Sequence, residues 1–267
     1  TNLGRGGSDY TAAIIAAALD ADVLEIWTDV DGFMTADPRI IKDAYVIDHL
    51  SFIESMELCN FGAKVIYPPT IYPVFHKNIP IRIRNTFNSE TNGTWITDDQ
   101  RQNTLPLKGV TSISDTTLIT VKGIDSVIKT DINTRLLNSL AKNGVSILFV
   151  AQSVNDEDIS FTVKNTDADT AQFVLNEEFA NEVSKSTITS ISSLDNLATI
   201  AIVGDGIRNI NSIEGRVFNT LSRNGINIIS IAQGSSKTNI SFVINIEYLH
   251  QAMSLIHETF FKNQKTK

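Results

Sequence analysis

The sequence predicts an α/β fold in which part of a layered α/β domain is followed by two small units of the βαββαβ type. Helical and strand-like apolar segments alternate over the first 100 residues, which is typical of an α/β layer architecture. Residues 140–161 recur at an offset of 81 residues, and nine of these 22 positions are identical to their partners. Such a repeat indicates two copies of one supersecondary unit. The length of 267 residues is sufficient for all three parts.

Composition and charge exclude several classes of protein. Hydrophobic residues make up 42% and charged residues 19% of the chain, and the formal net charge is −8. An acidic surface repels phosphate backbones, so we expect no nucleic-acid partner. Cys59 is the only cysteine, which excludes an internal disulfide and a Cys-rich zinc site. The longest aliphatic run, residues 12–19, is too short for a bilayer span, so we expect a cytoplasmic protein without a membrane partner.

The chain opens with a glycine-rich stretch, residues 3–9, that has no strand ahead of it. Loops that bind phosphate or substrate usually follow a strand, so we expect the chain to be a fragment of a longer polypeptide. Ser8 and Asp9 are suitable N-cap residues, and the apolar residues 10–19 predict a buried helix behind them. The stretch suits a small zwitterion, with Arg5 for a carboxylate and Asp9 for an ammonium group. A flexible turn with an ordinary aspartate cap is the alternative.

A buried strand is predicted at residues 23–28, and a polar loop follows it. Open α/β sheets bind ligands beyond the carboxyl ends of their strands. Arg39 in this loop suits contact with phosphates, and Asp29 suits a ribose or Mg²⁺. Aspartate, glycine and proline are also the residues that turns need, so ordinary turn chemistry is the alternative.

A helix is predicted at residues 51–61, because Ser51 and Glu54 have the spacing of a capping box. Lys64 follows the glycine that ends this helix, where it suits contact with nucleotide phosphates. A lysine that only balances the helix dipole is the alternative.

The first part of the chain ends with a further strand and a linker. Residues 79–84 alternate around Pro80 and predict an edge or late strand, and the polar residues 97–104 are the best candidate for a linker. The four histidines lie far apart, without the cysteine or carboxylate spacing of a metal site, and we assign them no catalytic or metal-binding role: His49, His76, His250 and His257.

Each repeat predicts strand, helix, strand, turn, strand and helix in that order. The first strands lie at residues 118–122 and 199–203, and the helices behind them begin at residues 133 and 213. Gln152 and Gln233 occupy equivalent places at the end of each second strand. A glutamine there can hydrogen-bond both the carboxylate and the amine of a small ligand. Its recurrence favours a pair of ligand sites over an incidental polar residue.

Taken together, these motifs resemble the aspartokinases, which have the amino-acid kinase fold, and the repeats look like the tandem ACT domains that follow that kinase. The motifs are Leu-Gly-Arg-Gly-Gly-Ser-Asp at 3–9, Thr-Asp-Val-Asp-Gly at 28–32, Asp-Pro-Arg at 37–39 and Phe-Gly-Ala-Lys-Val at 61–65. A closer similarity to threonine-sensitive bifunctional aspartokinase–homoserine dehydrogenases is carried by Ile-Arg-Asn-Thr at 83–86, Val-Gly-Asp-Gly-Ile-Arg at 203–208 and Ile-Ala-Gln-Gly-Ser-Ser at 231–236.

The resemblance implies a domain organisation. Residues 1–100 would be the C-terminal part of an amino-acid kinase αβα sandwich, 101–191 a first ferredoxin-like ACT domain and 192–267 a second. In related enzymes the second ACT unit takes a strand from just before the first, and residues 107–114 suit that role. The two units would then be interleaved in sequence. We also expect a homodimer or higher oligomer through the ACT sheets.

The resemblance implies transfer of the γ-phosphoryl group of MgATP to the β-carboxylate of L-aspartate, so ATP and Mg²⁺ would act together. The expected aspartate-binding residues are Arg5, Ser8 and Asp9, with Asp9 also at the catalytic centre. The expected ATP-binding residues are Thr28, Asp29, Met34, Arg39, Lys64 and Val65. Met34 departs from the family, in which many members have a tyrosine near the adenine. Because the family's N-terminal phosphate motif lies outside this chain, we expect the chain alone to be inactive.

The resemblance also implies an amino-acid effector, with threonine favoured and lysine as the alternative. The expected effector-binding residues are Asp131, Asn133 and Gln152 in the first repeat and Asn227, Ile228 and Gln233 in the second. Two other functions remain open. In the first, the chain as given is an amino-acid sensor without catalysis. In the second, the full-length protein is a kinase of the same fold for glutamate or uridylate, and the tandem repeat argues against this alternative.

Overall fold

Two β-sheets with flanking helices make up the computed structural model, which describes residues 6–98, 106–123, 129–152, 158–208, 213–234 and 238–262. A four-stranded sheet has the order β1-β3-β4-β2, and a six-stranded sheet has the order β6-β7-β5-β8-β10-β9. The α/β class is therefore confirmed. Within the described ranges, no helix combines the length and apolar character that crossing a membrane requires.

Residues 6–98, the first segment, hold the smaller sheet. Strands β1 and β3 run parallel, with Leu24 opposite Ile81 and Thr28 opposite Asn85, and β4 pairs antiparallel with β3. The buried core of this segment lies between the sheet and its helices. Its elements are α1 (Gly7–Ala18), β1 (Leu24–Thr28), β2 (His49–Leu50), α2 (Phe52–Asn60), α3 (Ile71–Phe75), β3 (Ile81–Asn85) and β4 (Thr94–Ile96).

Two predictions for this sheet are wrong in part. The strand predicted around Pro80 is not at an edge, because β3 lies between β1 and β4. Pro80 precedes the strand, so its missing N–H is outside the ladder, and its carbonyl accepts from the Leu24 amide at 2.9 Å. Strand β1, which was predicted to be a buried strand, lies at the edge of this sheet, and its residue Trp27 is 45% exposed.

The cap of α1 also differs from the prediction. The helix begins at Gly7 behind Gly6, which has φ 77°, so Ser8 and Asp9 fall in the first turn instead of the cap position. Glycine adopts this left-handed conformation without the steric cost that a Cβ brings. Only one stripe of α1 is buried: Ala13 is fully covered, whereas Ile15 is 53% exposed.

The capping box of α2 is confirmed. The Ser51 hydroxyl accepts from the Glu54 amide at 3.1 Å, and the Glu54 carboxylate accepts from the Ser51 amide at 2.8 Å. Phe61 is the C-cap of the helix, and Gly62 behind it has φ 124°. A Cβ at Gly62 would overlap the carbonyl oxygen of Ser112, so glycine permits close contact between the end of α2 and the larger sheet.

The larger sheet holds both repeats. The first unit packs α4 and α5 against β5 and β7, and the second packs α7 and α8 against β8 and β10. Its elements are β5 (Gly109–Lys122), α4 (Lys129–Lys142), β6 (Ile147–Gln152), β7 (Ile159–Lys164), α5 (Asn165–Glu178), α6 (Ala180–Ser184), β8 (Ser190–Val203), α7 (Ile213–Arg223), β9 (Ser230–Ala232), β10 (Asn239–Asn245) and α8 (Leu249–Phe260).

Strands β5 and β8 are shared between the two units. They pair antiparallel over their whole length, from Gly109 opposite Val203 to Lys122 opposite Ser190. The first half of β5 therefore lies beside the second half of β8, which is the part that pairs with β10. Each strand kinks at a residue with positive φ, Asp115 and Asn196, and these two positions are 81 residues apart, as in the repeat. The predicted boundary between residues 191 and 192 falls within β8, because this strand serves both units.

Candidate functional site

The carboxyl ends of β1 and β3 form the first part of the candidate site. The Thr86 amide donates to the Thr28 carbonyl at 2.8 Å, which holds the two strand ends together. The Thr28 hydroxyl donates to the Asp29 carboxylate at 3.2 Å. Asp31 accepts from the Asn85 side-chain amide at 2.7 Å. The acceptors and the hydroxyl at this edge suit a hydroxyl-rich ligand such as a ribose.

Sequence reasoning gave no role to Asn85, although it belongs to the quoted motif at 83–86. Its side-chain carbonyl accepts from the Phe87 amide at 2.8 Å while its amide group donates to Asp31. Asn88 donates to the same carboxylate at 3.2 Å. The signal that identifies Asn85 is its place at the end of a strand parallel to β1.

A loop carries Met34 and Arg39 away from β1. Met34 is half-buried and forms an isolated bridge with Val46, and the next residue, Thr35, is buried. Arg39 donates to both carboxylate oxygens of Asp37, with Nη2 to Oδ2 at 2.7 Å. The Arg39 side chain is nevertheless 81% exposed, so the ion pair orients the guanidinium and leaves donors for a ligand.

Lys64 belongs to the same neighbourhood. The hydrogen bond from Arg39 holds the pKa of the Asp37 carboxyl below its ordinary value, and the positive charge of Lys64 adds to this effect. Lys64 is exposed and Val65 is half-buried, just past the turn that ends α2. The positive charge of Lys64 thus acts on the same carboxyl that Arg39 binds, and two cations acting on one loop suit a polyphosphate.

The glycine-rich start of α1 lies against the segment that follows Val65. A Cβ at Gly6 would overlap the side chain of Tyr67. Ser8 is exposed and donates to the Asp9 carboxylate at 3.2 Å, so both side chains are at the surface of the first helical turn. Arg5 lies outside the described residues, as do residues 99–104 of the predicted linker.

The two repeats carry matching hydrogen bonds between a helix start and a strand end. Asn133 donates to Gln152 at 3.2 Å in the first unit, and Gln233 donates to Glu214 at 3.3 Å in the second. Asn133 and Glu214 are 81 residues apart, as are Gln152 and Gln233, so the two bonds join equivalent positions of the repeat. Within the described residues, Asn133 Oδ1 is buried without a hydrogen-bond partner. An unpaired acceptor beside a glutamine suits a small polar ligand.

The other predicted effector residues do not take part in these two hydrogen bonds. Asp131 forms an ion pair with Arg135, with Oδ2 to Nη1 at 3.4 Å. Asn227 is exposed, and Ile228 packs at the border of the second unit's core. Sequence reasoning missed Glu214, although applying the repeat offset to Asn133 identifies it.

Several polar contacts join the first segment to the second unit. Glu54 Oε1 accepts from the Asp205 amide at 2.9 Å, and the Thr35 hydroxyl bonds to His257 Nε2 at 3.0 Å. The Glu57 carboxylate accepts from the Asn239 side chain. The candidate nucleotide loop and α2 are thus held directly by the repeat half. Within the described ranges, no group of three or more His, Cys, Asp or Glu side chains suits a metal ion.

Known protein families match both parts of the chain. Residues 1–85 match the amino acid kinase family, and residues 119–179 and 200–260 each match the ACT domain. The bifunctional aspartokinase/homoserine dehydrogenase of Haemophilus influenzae is 40% identical over 263 residues, which cover 98% of this chain and 32% of that protein. The corresponding protein of Buchnera aphidicola is 38% identical and is also covered to 32%, so the chain spans about a third of these relatives' length.

Solved structures of aspartate kinases share the fold. The enzyme of Clostridium acetobutylicum superposes with a TM-score of 0.86 at 30% identity, covering 97% of this chain and 59% of that one. Aspartokinase III of E. coli, in complex with aspartate and ADP, gives a TM-score of 0.83 at 29% identity, covering 98% of this chain and 57% of that one. Its complex with lysine and aspartate gives 0.78 at 29% identity, with the same coverage.

Sequence motifs, sheet topology, family matches and related structures agree on one assignment. The chain joins a segment that matches the amino acid kinase family to two segments that match the ACT domain, and over almost its whole length it is similar to aspartokinases.

Proposed function

We propose that the full-length protein containing this chain is an aspartate kinase. A β-carboxylate oxygen of L-aspartate attacks the γ-phosphorus of MgATP, the bond to the ADP oxygen breaks, and an acyl phosphate and ADP form. The observation that carries the proposal is the ion pair of Arg39 with Asp37 in the loop that follows β1, where the charge of Lys64 also acts on the Asp37 carboxyl. Phosphoryl transfer depends on positioning and charge neutralisation, which this arrangement supplies.

The nucleotide would lie over the loop between β1 and β2. Arg39 and Lys64 would neutralise its phosphates, and Thr28 and Asp29 would meet its ribose, while Met34 and Val65 line its apolar side. Mg²⁺ would enter as part of the MgATP substrate, coordinated largely by phosphate oxygens and water. The complex of E. coli aspartokinase III with aspartate and ADP supports this use of a nucleotide.

Aspartate would bind at the start of α1. The positive end of the helix and Arg5 would hold its carboxylates, and Asp9, with Ser8 beside it, would hold its ammonium group. Asp9 lies in the first turn of a 12-residue helix, where its carboxylate is accessible to a ligand.

Release of ADP by the full-length protein tests this proposal, using a coupled assay with MgATP. We expect L-aspartate to stimulate ADP release, and we expect Lys64→Met to reduce kcat/KM by roughly tenfold or more because a charge-assisted contact is lost. Stimulation by glutamate or uridylate in place of aspartate would contradict the assignment.

The ACT domains would bind an amino acid that regulates this activity. The matching contacts Asn133–Gln152 and Gln233–Glu214 support a pair of small-ligand sites. Threonine is the favoured ligand because the closer sequence motifs are those of threonine-sensitive enzymes, and the lysine complex of E. coli aspartokinase III supports lysine as the alternative. An amino-acid sensor without catalysis remains the second candidate function, favoured by the same contacts.

The same sheet would form the contact between subunits. Strands β6 and β9 lie at its two edges, and each is hydrogen-bonded along one side in the described residues. Val150 and Ile231 are equivalent in the repeat and are 41% and 45% exposed on these strands. Exposed apolar side chains at equivalent positions of the two units support a contact with a second copy, as a homodimer or higher oligomer.

A further inference from the structure

A cavity of about 600 Å³ lies where α2 meets the two edges of the six-stranded sheet. Its wall combines parts of the molecule that are distant in sequence. Glu57 and Asn60 come from α2, Phe149 from β6, Lys164 from the end of β7, and Gln233 and Asn239 from the second unit. A ligand in this cavity would touch the kinase segment and both ACT domains at once.

Glu57 gives the cavity a negative side. Its carboxylate is half-buried on α2, and Oε2 accepts from the side-chain amide of Asn239. Burial raises the pKa of the Glu57 carboxyl, and the bond from Asn239 opposes this only in part. The other oxygen, Oε1, has no donor among the described residues. A carboxylate in this position is stabilised by a ligand that brings a positive charge.

Lys164 gives the cavity a positive side. It ends β7, its side chain is exposed to the cavity and solvent, and it forms no ion pair with a described residue. Amide and apolar side chains also line the cavity, among them Asn60, Gln233 and Phe149. A wall that carries both charges together with amide groups matches a zwitterion with a polar side chain.

The two proposed effector sites differ in their relation to this cavity. Gln233 lines it, and its donor bond to Glu214 leaves the side-chain carbonyl for a ligand. Gln152, the equivalent residue of the first unit, is not part of the wall. A ligand at the second unit is therefore placed to contact α2, whereas a ligand at Gln152 is not.

We propose that this cavity binds a free α-amino acid, with its ammonium group at Glu57 and its carboxylate at Lys164, so that the kinase segment completes the effector site of the second ACT domain. The inference rests on the proposed regulation by an amino acid and adds two site residues, Glu57 and Lys164. Its consequence is that occupancy is sensed directly by α2, the helix whose C-terminal turn leads to Lys64.

Binding of L-threonine and L-lysine to the 267-residue chain, measured by isothermal titration calorimetry, tests this inference. The variants Glu57→Gln and Lys164→Met each remove one charge, and the side-chain carbonyl that Glu57→Gln introduces can still accept from Asn239. We expect each to weaken binding at the cavity by at least about tenfold, because a charge-assisted hydrogen bond is lost. We also expect Glu57→Gln to leave binding of 3-hydroxybutyrate, which lacks the ammonium group, unchanged.

Matched controls remove the same charges elsewhere. Glu177→Gln and Lys142→Met change exposed residues on the outer side of the first unit and should bind like the parent chain. If the parent binds and both cavity variants bind equally well, the inference is wrong. If the parent binds neither amino acid, the proposed regulation itself fails. If circular dichroism shows that Glu57→Gln disturbs folding, the binding measured for Lys164→Met decides between these outcomes, because Lys164 is exposed.

Discussion

At the scale of single residues, His257 connects the second ACT domain to the loop of the proposed nucleotide site. The residue is 3% exposed, and its ring stacks on Phe261 with centroids 5.2 Å apart and bonds to the Thr35 hydroxyl. Thr35 is the neighbour of Met34, and its carbonyl accepts from the Val110 amide at 2.8 Å. Burial lowers the pKa of His257, and the negative charges of Asp43 and Glu258 oppose this in part.

A lowered pKa predicts that acid weakens this contact. Below about pH 6.5 the unfolded chain binds a proton at this residue while the folded chain does not, so stability falls as pH decreases. One such group contributes at most about 1.4 kcal/mol per pH unit to the slope of the unfolding free energy. We expect His257→Gln to reduce that slope between pH 6.5 and the lower pKa of the folded state, as measured by urea unfolding across this range.

His250 provides the matched control, because it lies on the same helix and is exposed. His250→Gln should leave the slope unchanged. Equal slopes for the parent and His257→Gln would show that protonation of His257 is not coupled to folding.

The residue scale also shows what a sequence can reveal about a site. Arg39 and Lys64 were predicted from local motifs, and the charges of both lower the pKa of the Asp37 carboxyl. His257 and Glu57 follow no motif, since their importance depends on partners 222 and 182 residues away in the chain, Thr35 and Asn239. Contacts of this kind are set by how two domains pack, which single-sequence patterns do not encode.

At the scale of elements, α2 is the helix that joins the kinase segment to the ACT domains. Its start is held by Glu54, which completes the capping box and also accepts from the Asp205 amide. Its end lies against β5, where the Thr111 hydroxyl donates to the Phe61 carbonyl at 3.1 Å. Lys108, buried next to this junction, has its pKa lowered by burial, while the charge of Glu54 opposes this. Both ends of α2 are thus held by contacts with the repeat half.

Gly62→Ala tests the tight contact at the end of α2. The substitution puts a Cβ on a residue with φ 124° and against the carbonyl oxygen of Ser112. Backbone strain and steric overlap with Ser112 therefore both destabilise the folded variant. We expect a loss of roughly 2–4 kcal/mol in the free energy of unfolding, measured by urea denaturation. Gly144→Ala is the control, because Gly144 has φ 73° but nothing within 4 Å of an added Cβ, and it should cost only about 1–2 kcal/mol. Equal losses in both variants would contradict a packing role for Gly62.

The helices were more predictable than the strands. The capping box marks α2 within a residue of its observed start, and α7 begins at the predicted residue 213, although α4 begins at Lys129 and not at 133. Strands β5 and β8 are each 14 residues long, whereas the apolar alternation predicts five-residue strands at 118–122 and 199–203. The first half of β5 was expected only from the family resemblance, as a strand at residues 107–114. The missing halves pair with the other repeat, so their strand character depends on a partner that local alternation does not reveal.

At the scale of the whole molecule, shared elements connect the kinase segment to the ACT domains. β5 and β8 make the two ACT domains one sheet, and α2 and the Thr35 loop connect that sheet to the proposed nucleotide site. Binding at one site can change affinity at another only if the linking element differs between the two states. The rigid, buried contacts at this junction are suited to transmit such a difference.

The central claim is that an amino acid bound to the ACT domains changes phosphoryl transfer from ATP to aspartate. Its most direct test is the aspartate-dependent rate of ADP release by the full-length protein, measured while threonine or lysine is increased to millimolar concentration. We predict that one of these amino acids lowers the rate in a saturable way. A rate that stays constant, in a sample where calorimetry shows the amino acid to be bound, would contradict the claim.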